Sequence, residues 1–337
     1  MPTLKQIFET AIDLWMKNDV RTEVEINEFL QSQKEAYEKL EESKKQYFDL
    51  DYLTNPYSDS KIYHWEENTE IKKLIIWVDV EWSEILAVNE YNKLNPKAKI
   101  DAILWHHPEW KALVDLTSIL KTVLNSVDMS FWIPINQVEK LNCERVWKLQ
   151  RWLSPLNYNR WISIAKMLDI PFFWIHTPAD NMCFKFMQKM LDENKSKTKK
   201  LKDIIALLEE IPEMQMSKKN GIWPQIWAWS EDSLAWIIAL PWITWGTSGS
   251  KDMYQKYAEA WIWTILVMHI SEDHLEEAKK HNLNVIMTDH MASDSLWLNL
   301  IADEYEKAWV EIIEFSWFMR FSRVKEKEFK KIKIEKK

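Results

Sequence analysis

The chain contains two short, mostly apolar runs, Lys73-Leu74-Ile75-Ile76-Trp77-Val78 and Ile100-Asp101-Ala102-Ile103-Leu104. Short apolar runs of this kind predict strands that are buried on both faces of a sheet. Residues 83–93 lie between the two runs and predict a helix. A strand, a helix and a second strand in this order are the repeating unit of an α/β fold with parallel strands.

The same alternation extends over most of the chain. Further strands are predicted over 171–175, 234–240, 263–268, 283–288 and 310–315. Further helices are predicted over 111–126, 135–150, 158–168, 179–192, 250–260, 272–281 and 293–307. We therefore expect an α/β protein that is built from two α/β halves.

Polar segments suggest where the chain divides. A capping box, Thr3-x-x-Gln6, opens a helix that runs to about Lys17, and residues 24–48 predict a second, longer helix. The turn at 55–60 ends this helical extension, and the charged stretch 195–200 is expected to connect the two halves. The predicted units are an N-terminal helical extension over 1–55, a first α/β half over 56–194, a second α/β half over 195–324 and a charged tail over 325–337.

The tryptophan and glycine counts are both abnormal. The 337 residues include 22 Trp and only 3 Gly, whereas an average glycine usage of about 7% predicts about 24 glycines. Trp261 and Trp309 each follow a predicted helix and precede a predicted strand, where a left-handed glycine commonly ends the helix. The segments 227–229 and 261–263 are similarly turn-like, and Trp245 interrupts a loop of small residues. Most of these Trp residues therefore stand where glycine is expected.

Variant genetic decoding would account for this pattern. Some bacterial lineages read UGA as glycine, whereas other variant codes read it as tryptophan, so a gene of the first kind translated with the second table would show Trp in place of Gly. The high content of Lys, Ile and Asn fits an AT-rich gene. The alternative is a genuine aromatic-rich surface, such as that of a carbohydrate-binding protein.

Charge and cysteine content exclude several classes of protein. With 44 Lys and Arg against 52 Asp and Glu, the net charge is −8, which argues against a dedicated nucleic-acid-binding protein. Cys143 and Cys183 form no CxxC motif and favour a reducing compartment. No signal-peptide core and no apolar run of about 20 residues is present. We therefore expect a cytoplasmic protein without a membrane span.

Three predicted strands are followed by residues that can bind metal ions. His106 and His107 follow the strand at 100–104, Asp180 follows the strand at 171–175, and His290 and Asp294 follow the strand at 283–288. In α/β proteins, ligands gather at the carboxyl ends of the strands. His290 and Asp294 are four residues apart and would share one helix face.

These five side chains suffice for two divalent ions about 3.5–4 Å apart. A pair of ions at that distance lowers the pKa of a bridging water and supplies a hydroxide nucleophile near neutral pH. Glu109, beside the His pair, is a candidate general acid or base. Each residue taken alone also has a structural explanation, such as a loop histidine or a carboxylate in the first turn of a helix.

The spaced motifs resemble those of the Nif-three-like family, which is also labelled GTP cyclohydrolase type 2 homologue. The strings are His106-His107-Pro108-Glu109, His176-Thr177-Pro178-Ala179-Asp180 and His290-Met291-Ala292-Ser293-Asp294-Ser295-Leu296. The resemblance continues through 133–136, 153–157 and 246–249 and covers about residues 55–324. It implies two α/β halves packed around a dinuclear metal site in a homo-oligomer, and the N-terminal helices resemble the extension of a longer subgroup.

The same resemblance implies a set of metal ligands. It assigns His106, His107, Asp180 and His290 as ligands, and it places His176 as a residue that supports them. The last family ligand is typically Glu, whereas this chain has Asp294, whose side chain is shorter. Mixed His and carboxylate ligands suit Zn, Fe, Mn or Co.

Two functions remain open at this point. One is a metal-dependent hydrolase in which a metal-bridged hydroxide attacks a small-molecule substrate of amide, ring or phosphoester type. The other is a non-catalytic protein that uses the same site for metal storage or for binding a regulatory partner.

Overall fold

The computed structural model describes residues 1–63, 65–79, 81–243 and 248–325. The first of its two sheets contains five strands in the order β1-β4-β3-β2-β9. Their bounds are β1 Lys61–Tyr63, β2 Lys73–Trp77, β3 Ala102–Trp105, β4 Phe172–Trp174 and β9 Glu311–Glu314. Strand β1 pairs antiparallel to β4, and the other three pairings are parallel. The four parallel strands β2, β3, β4 and β9 therefore have their carboxyl ends at the same edge of the sheet.

Four strands form the second sheet in the order β5-β8-β7-β6. They are β5 Gln225–Ala228, β6 Ile238–Trp242, β7 Thr264–Val267 and β8 Asn284–Met287. Strands β6, β7 and β8 are parallel, and β5 is antiparallel to β8. Pro241 lies in β6, where the register with β7 shifts between Ala239 and Trp242. Proline lacks the N–H of the ladder, so its place in an edge strand at an irregularity is the expected one.

Thirteen α-helices occur in the described residues, together with one 3-10 helix at Leu50–Leu53. In the N-terminal region and the first half they are α1 Leu4–Met16, α2 Glu23–Lys39, α3 Glu42–Lys45, α4 Trp82–Leu94, α5 Trp110–Ser130, α6 Ile135–Leu153, α7 Arg160–Met167 and α8 Thr177–Glu193. In the second half they are α9 Leu201–Leu208, α10 Pro212–Lys219, α11 Met253–Glu259, α12 Glu272–Lys280 and α13 His290–Lys307. The α/β class with an N-terminal helical extension is confirmed.

The first sheet is buried on both of its faces. In β2, Leu74 and Ile76 belong to the main hydrophobic core, whereas Ile75 and Trp77 belong to a second core on the opposite face. This division follows from the alternation of side chains along a strand. It explains why the parallel strands are continuous apolar runs rather than alternating ones.

The capping box at Thr3 is confirmed, since its hydroxyl accepts from the Gln6 N–H and Gln6 accepts from the Thr3 N–H. The single helix predicted over 24–48 is wrong, because Leu40 is extended and divides it into α2 and α3. Ile26 is the one fully buried residue of α2, so little tertiary packing favours a longer helix.

Strand β1, strand β5, and helices α9 and α10 were not predicted from the sequence. Strand β1 has three residues, and β5 lies at an edge of its sheet, so neither has the apolar run that marks a central strand. The strand predicted over 234–240 begins only at Ile238. The charged stretch 195–200 connects α8 to α9, and the first sheet takes β9 from the predicted second half.

Left-handed backbone is concentrated at tryptophan. Nine described residues other than glycine have positive φ, and five of them are Trp, with φ between 45° and 71°. These five are Trp132, Trp229, Trp236, Trp261 and Trp309. The left-handed conformation expected at Trp261 and Trp309 is therefore present. Trp227 instead lies within β5, so its assignment to a turn is wrong, and Trp245 lies outside the described residues.

Candidate metal centre

The His pair lies where β3 ends. The backbone N–H groups of His106 and His107 both donate to the Val78 carbonyl oxygen, at 3.1 Å each. Val78 follows β2, the parallel neighbour of β3, and Asp79 follows Val78. The ends of two adjacent parallel strands therefore bring the carboxylate of Asp79 beside the imidazoles.

Strand β4 contributes the next two side chains. His176 is the residue before α8, and Asp180 lies in the first turn of that helix. The Asp180 N–H donates to the His176 carbonyl oxygen at 3.1 Å, as the first hydrogen bond of a helix does. Pro178 occupies the first turn, where its missing N–H has no consequence and its fixed φ suits the helix. Both His176 and Asp180 are buried.

The second sheet contributes His290 and Asp294 from the start of α13. Asp289 is the residue before this helix; its φ is 79°, and its carboxylate accepts a hydrogen bond from Ser217. His290 and Asp294 are one helical turn apart, and His290 Nε2 lies 3.4 Å from Asp294 Oδ2. The predicted sharing of one helix face is confirmed.

Imidazole Nε2 atoms converge on two buried carboxylates. His106 Nε2 lies 3.4 Å from Asp180 Oδ1 and 4.0 Å from Asp294 Oδ1. His107 Nε2 lies 3.5 Å from Asp294 Oδ2. The structure thus brings together all five predicted ligands, which come from three separate strand ends in two sheets.

The other ring nitrogens fix the tautomers. His106 Nδ1 lies 2.8 Å from the Ile175 carbonyl oxygen, which only accepts, so this nitrogen carries the proton. His107 Nδ1 is hydrogen-bonded to the Asp79 carboxylate, which holds the pKa of Asp79 below its usual value. In a neutral imidazole, a proton on Nδ1 leaves the lone pair of Nε2 available for a metal ion.

The electrostatics of the cluster favour the neutral forms of His106 and His290 but not of His176, whose pKa is raised by Asp180 and Asp59 although burial opposes the shift. Burial, together with His176 and His107, holds the pKa of His106 well below its ordinary value. Burial and the neighbouring His107 and His269 lower the pKa of His290 to about 3. Burial also raises the pKa of Asp294 well above the usual value, and the nearby Asp180 and Asp79 add to that rise. The charged form of Asp294 is therefore disfavoured in the metal-free protein.

Unsatisfied atoms test whether a metal ion fits here. Among the described residues, neither carboxylate oxygen of Asp294 has a hydrogen-bond partner, and the same holds for His290 Nε2. A buried carboxylate without donors is unfavourable, and a divalent cation would satisfy it. Two ligands about 2.1 Å from one tetrahedral ion lie about 3.4 Å apart, which matches the Nε2 to oxygen distances given above.

Two overlapping groups of side chains have the spacing of metal ligands. One is His106, His107 and Asp294, and the other is His106, His176 and Asp180. In each group the ligand atoms lie within 4.8 Å of one another. These buried His and Asp groups could therefore hold a metal ion.

Glu109 is hydrogen-bonded to a residue of helix α7. It is the residue before α5, and its carboxylate Oε1 accepts a hydrogen bond from Trp161 Nε1 at 3.1 Å. The metal-ligand groups given above do not include it. Its role as a general acid or base stays a prediction.

Three residues of the site were missed at the level of sequence. Asp79 and His269 directly follow the predicted strands 73–78 and 263–268, so the same strand-end rule would have found both. The His269 ring lies 5.3 Å from that of His290. Asp59, which contacts His176, precedes β1, and no strand was predicted there.

Within the described part of the chain, no helix combines the length and the apolarity that crossing a bilayer requires. Both cysteines are free thiols, and Cys183 is buried. Burial and the nearby carboxylates of Asp180 and Asp294 raise the pKa of Cys183 well above its ordinary value. Burial therefore favours the neutral thiol in the metal-free protein.

The fold is similar to that of a NIF3 superfamily protein from Sphaerobacter thermophilus, with a TM-score of 0.67 and 22% sequence identity, over 77% of this chain and 91% of that chain. Weaker similarity extends to a Staphylococcus aureus hypothetical protein, with a TM-score of 0.43 and 14% identity over 79% and 93% of the two chains. It also extends to a Bacillus cereus protein related to NIF3, with a TM-score of 0.37 and 10% identity over 91% and 98%. No protein-family profile matches the chain, and no curated protein matches it. The chain therefore has the fold of a NIF3 superfamily protein.

Proposed function

We propose that this chain is a Nif-three-like protein that holds two divalent ions and uses them as a metal-dependent hydrolase, as a GTP cyclohydrolase type 2 homologue would. The observation that carries the proposal is the buried carboxylate of Asp294. Its two oxygens have no hydrogen-bond donor in the described residues, yet three imidazole Nε2 atoms lie 3.4–4.0 Å away. Buried carboxylates without donors are rare in proteins, and a bound metal ion would satisfy this one.

The proposed ligands are His106, His107, Asp180, His290 and Asp294. When bound, two divalent ions would supply Lewis acidity and a water that is acidic enough to react near neutral pH. His106 Nδ1 is hydrogen-bonded to the Ile175 carbonyl oxygen and His107 Nδ1 to the Asp79 carboxylate. These bonds would orient the two rings for metal binding through Nε2. Zn, Fe, Mn and Co all accept this mixture of ligands.

The side chains also define where a small-molecule substrate can approach. His106, Asp180 and Asp294 are buried, whereas the side chains of His107 and His290 are 28% and 31% exposed. Solvent therefore reaches the cluster on the side of His107 and His290, and a substrate would enter there. Glu109 follows His107 in the chain by two residues and remains our candidate for proton transfer.

Metal content and turnover test the proposal. We expect two tightly bound ions per chain by elemental analysis of the purified protein, and fewer in His107→Ala. A screen of nucleotides, cyclic amides and phosphoesters should give turnover that is lost in His107→Ala and kept in His281→Ala, a histidine that contacts Glu277. Fewer than one ion per chain would reject the metal site.

The non-catalytic alternative has a distinct outcome. Two bound ions without turnover on any of these substrates would favour a protein that stores metal or binds a regulatory partner. We also propose a homo-oligomer in the cytoplasm, which the resemblance and the two free thiols support. Light scattering on the purified protein measures the oligomeric state.

We further propose that most of the Trp residues are glycine in the working protein, because UGA codons have been read as tryptophan. The support is the left-handed backbone at Trp132, Trp229, Trp236, Trp261 and Trp309. A bulky residue in this conformation costs about 1–3 kcal/mol, whereas glycine adopts it freely. Replacement of so many glycines would also weaken any match to a family profile.

The coding DNA and the mass of the native protein decide this question. We expect UGA codons at these positions and a native mass that is lower by the Trp-to-Gly difference at each one. UGG codons at the five left-handed positions would reject the proposal. In that case the Trp residues are genuine, and an aromatic-rich binding surface has to be considered.

A further inference from the structure

His176 precedes helix α8, but only its backbone, and not its imidazole, takes part in starting that helix. Its backbone carbonyl accepts from Asp180, and its backbone N–H donates to Ser60 Oγ at 3.0 Å. Any residue type could make these two backbone bonds. The side chain must therefore be explained by its own contacts, which are with Asp59 on one nitrogen and with the cluster on the other.

The Nδ1 side of this ring is held by Asp59. His176 Nδ1 lies 2.8 Å from Asp59 Oδ2, and the same oxygen accepts from the Thr177 hydroxyl at 2.6 Å and its N–H at 3.2 Å. Asp59 is fully buried. The Thr177 N–H can only donate, so Asp59 Oδ2 acts as an acceptor. An accepting carboxylate fixes the proton on Nδ1.

The Nε2 side of the same ring is directed into the cluster. His176 Nε2 lies 3.8 Å from Asp180 Oδ2, and its ring stacks on that of His106 with centroids 4.9 Å apart. The ligand atoms of His106, His176 and Asp180 lie within 4.8 Å of one another. A distance of 3.8 Å exceeds that of a hydrogen bond but suits two ligands that share one ion.

We propose that His176 is itself a metal ligand, with Asp59 as the positioning residue that holds its ring in the ligating tautomer. This inference rests on the proposed function. It assigns His106, His176 and Asp180 to one ion, and it leaves His107, His290 and Asp294 for the other. Each ion then has two imidazoles and one carboxylate, so the centre has six protein ligands rather than five.

Removal of the imidazole tests the assignment. In His176→Ala we expect a loss of about one ion per chain, measured by elemental analysis after dialysis against a weak chelator. The visible absorption spectrum of the Co(II)-loaded protein should change at the same time, because one ion loses a nitrogen ligand. The matched control is His274→Gln, a buried histidine that bonds to Tyr254 instead, and it should keep both ions and the spectrum.

Asp59→Asn tests the positioning role without changing side-chain volume. An amide no longer enforces the proton on Nδ1 of His176. We therefore expect the affinity for one of the two ions to fall about 10-fold, which is in the range for residues that orient ligands, and the affinity for the other ion to stay unchanged. A purely structural Asp59 would change unfolding alone and leave the Co(II) spectrum of the folded fraction as it was.

X-ray absorption of the unmutated, Zn-loaded protein covers the case in which a variant fails to fold. We expect four imidazoles shared by two ions, whereas a support role for His176 gives three. Three imidazoles, or two ions with an unchanged Co(II) spectrum in His176→Ala, would overturn this inference and leave the proposed function intact. Fewer than two ions in the unmutated protein would instead reject the proposed function.

Discussion

Two fully buried carboxylates, Asp128 in α5 and Asp294 in α13, have opposite surroundings. Asp128 accepts a hydrogen bond from the Tyr257 hydroxyl and another from Asn142 Nδ2 at 2.8 Å. Asp294 has no hydrogen-bond donor in the described residues and faces imidazole lone pairs. Both side chains are equally buried, so the two sites differ in the hydrogen-bond donors that surround each carboxylate.

The pKa values reflect the same contrast. Burial raises the pKa of Asp128 to about 7, although hydrogen bonds from Tyr257 and Asn142 oppose the rise. Burial raises the pKa of Asp294 well above its ordinary value, and further carboxylates nearby add to the effect. The Asp128 cluster supplies its own donors, whereas the Asp294 carboxylate lacks them and could be satisfied by a metal ion.

The largest effect is expected for Asp294→Asn. The variant loses an anionic ligand, so metal affinity should fall at least about 1,000-fold, equivalent to about 4 kcal/mol. The metal-free protein should become more stable by about 1–3 kcal/mol, because the amide carries no charge for burial to penalise. Metal competition titration and urea unfolding in chelator measure the two quantities.

The matched control for that variant is Asp128→Asn. It changes the same functional group at the same burial, and it should leave metal affinity unchanged. A loss of metal binding in Asp128→Asn, or metal-free destabilisation in Asp294→Asn, would remove the distinction between the two clusters.

The next effect in size is the pH dependence that Asp128 contributes. Asp128 keeps its proton in the folded protein up to about pH 7, whereas an unfolded Asp ionises near about pH 4. The folded state therefore binds more protons in this interval, so the contribution of Asp128 to stability is present below about pH 4 and is lost as the pH rises through about 7. Compared with Asp128→Asn, the unmutated protein should lose about 2–3 kcal/mol of unfolding free energy between about pH 5 and about pH 8.

Urea unfolding of both proteins in chelator, at the two pH values, measures this difference. Working with the difference between the two proteins removes the contribution of the metal-centre groups, which both of them share. Parallel pH profiles would show that Asp128 ionises normally and that its hydrogen bonds compensate its burial fully.

The smallest effect is expected for Asp79→Asn. Asp79 orients His107 without being one of the proposed ligands, so metal affinity should fall about 10-fold, near the lower end of the range for such residues. Isothermal titration with Zn or Co measures it. A fall as large as that of Asp294→Asn would make Asp79 a ligand and would enlarge the centre beyond the six side chains proposed above.

The sequence predicts the central parallel strands well because their apolar runs are dictated by burial on both faces. It predicts His106, His107, Asp180, His290 and Asp294 because each follows such a strand. Strand β1 has no comparable apolar run, so the sequence does not predict the contact between Asp59 and His176. Which imidazole nitrogen faces the cluster depends on acceptors such as the Ile175 carbonyl, and only the folded chain brings these together.

Strand β9 has a consequence for how the chain is made. It pairs with β2, although about 230 residues of chain separate them in synthesis. The hydrogen-bonding edge of β2 therefore stays open on the ribosome until residues 311–314 have emerged. The first sheet therefore gains its last strand only after residues 311–314 have emerged, and a ribosome that stalls before this point holds a nascent chain with an exposed, aggregation-prone edge.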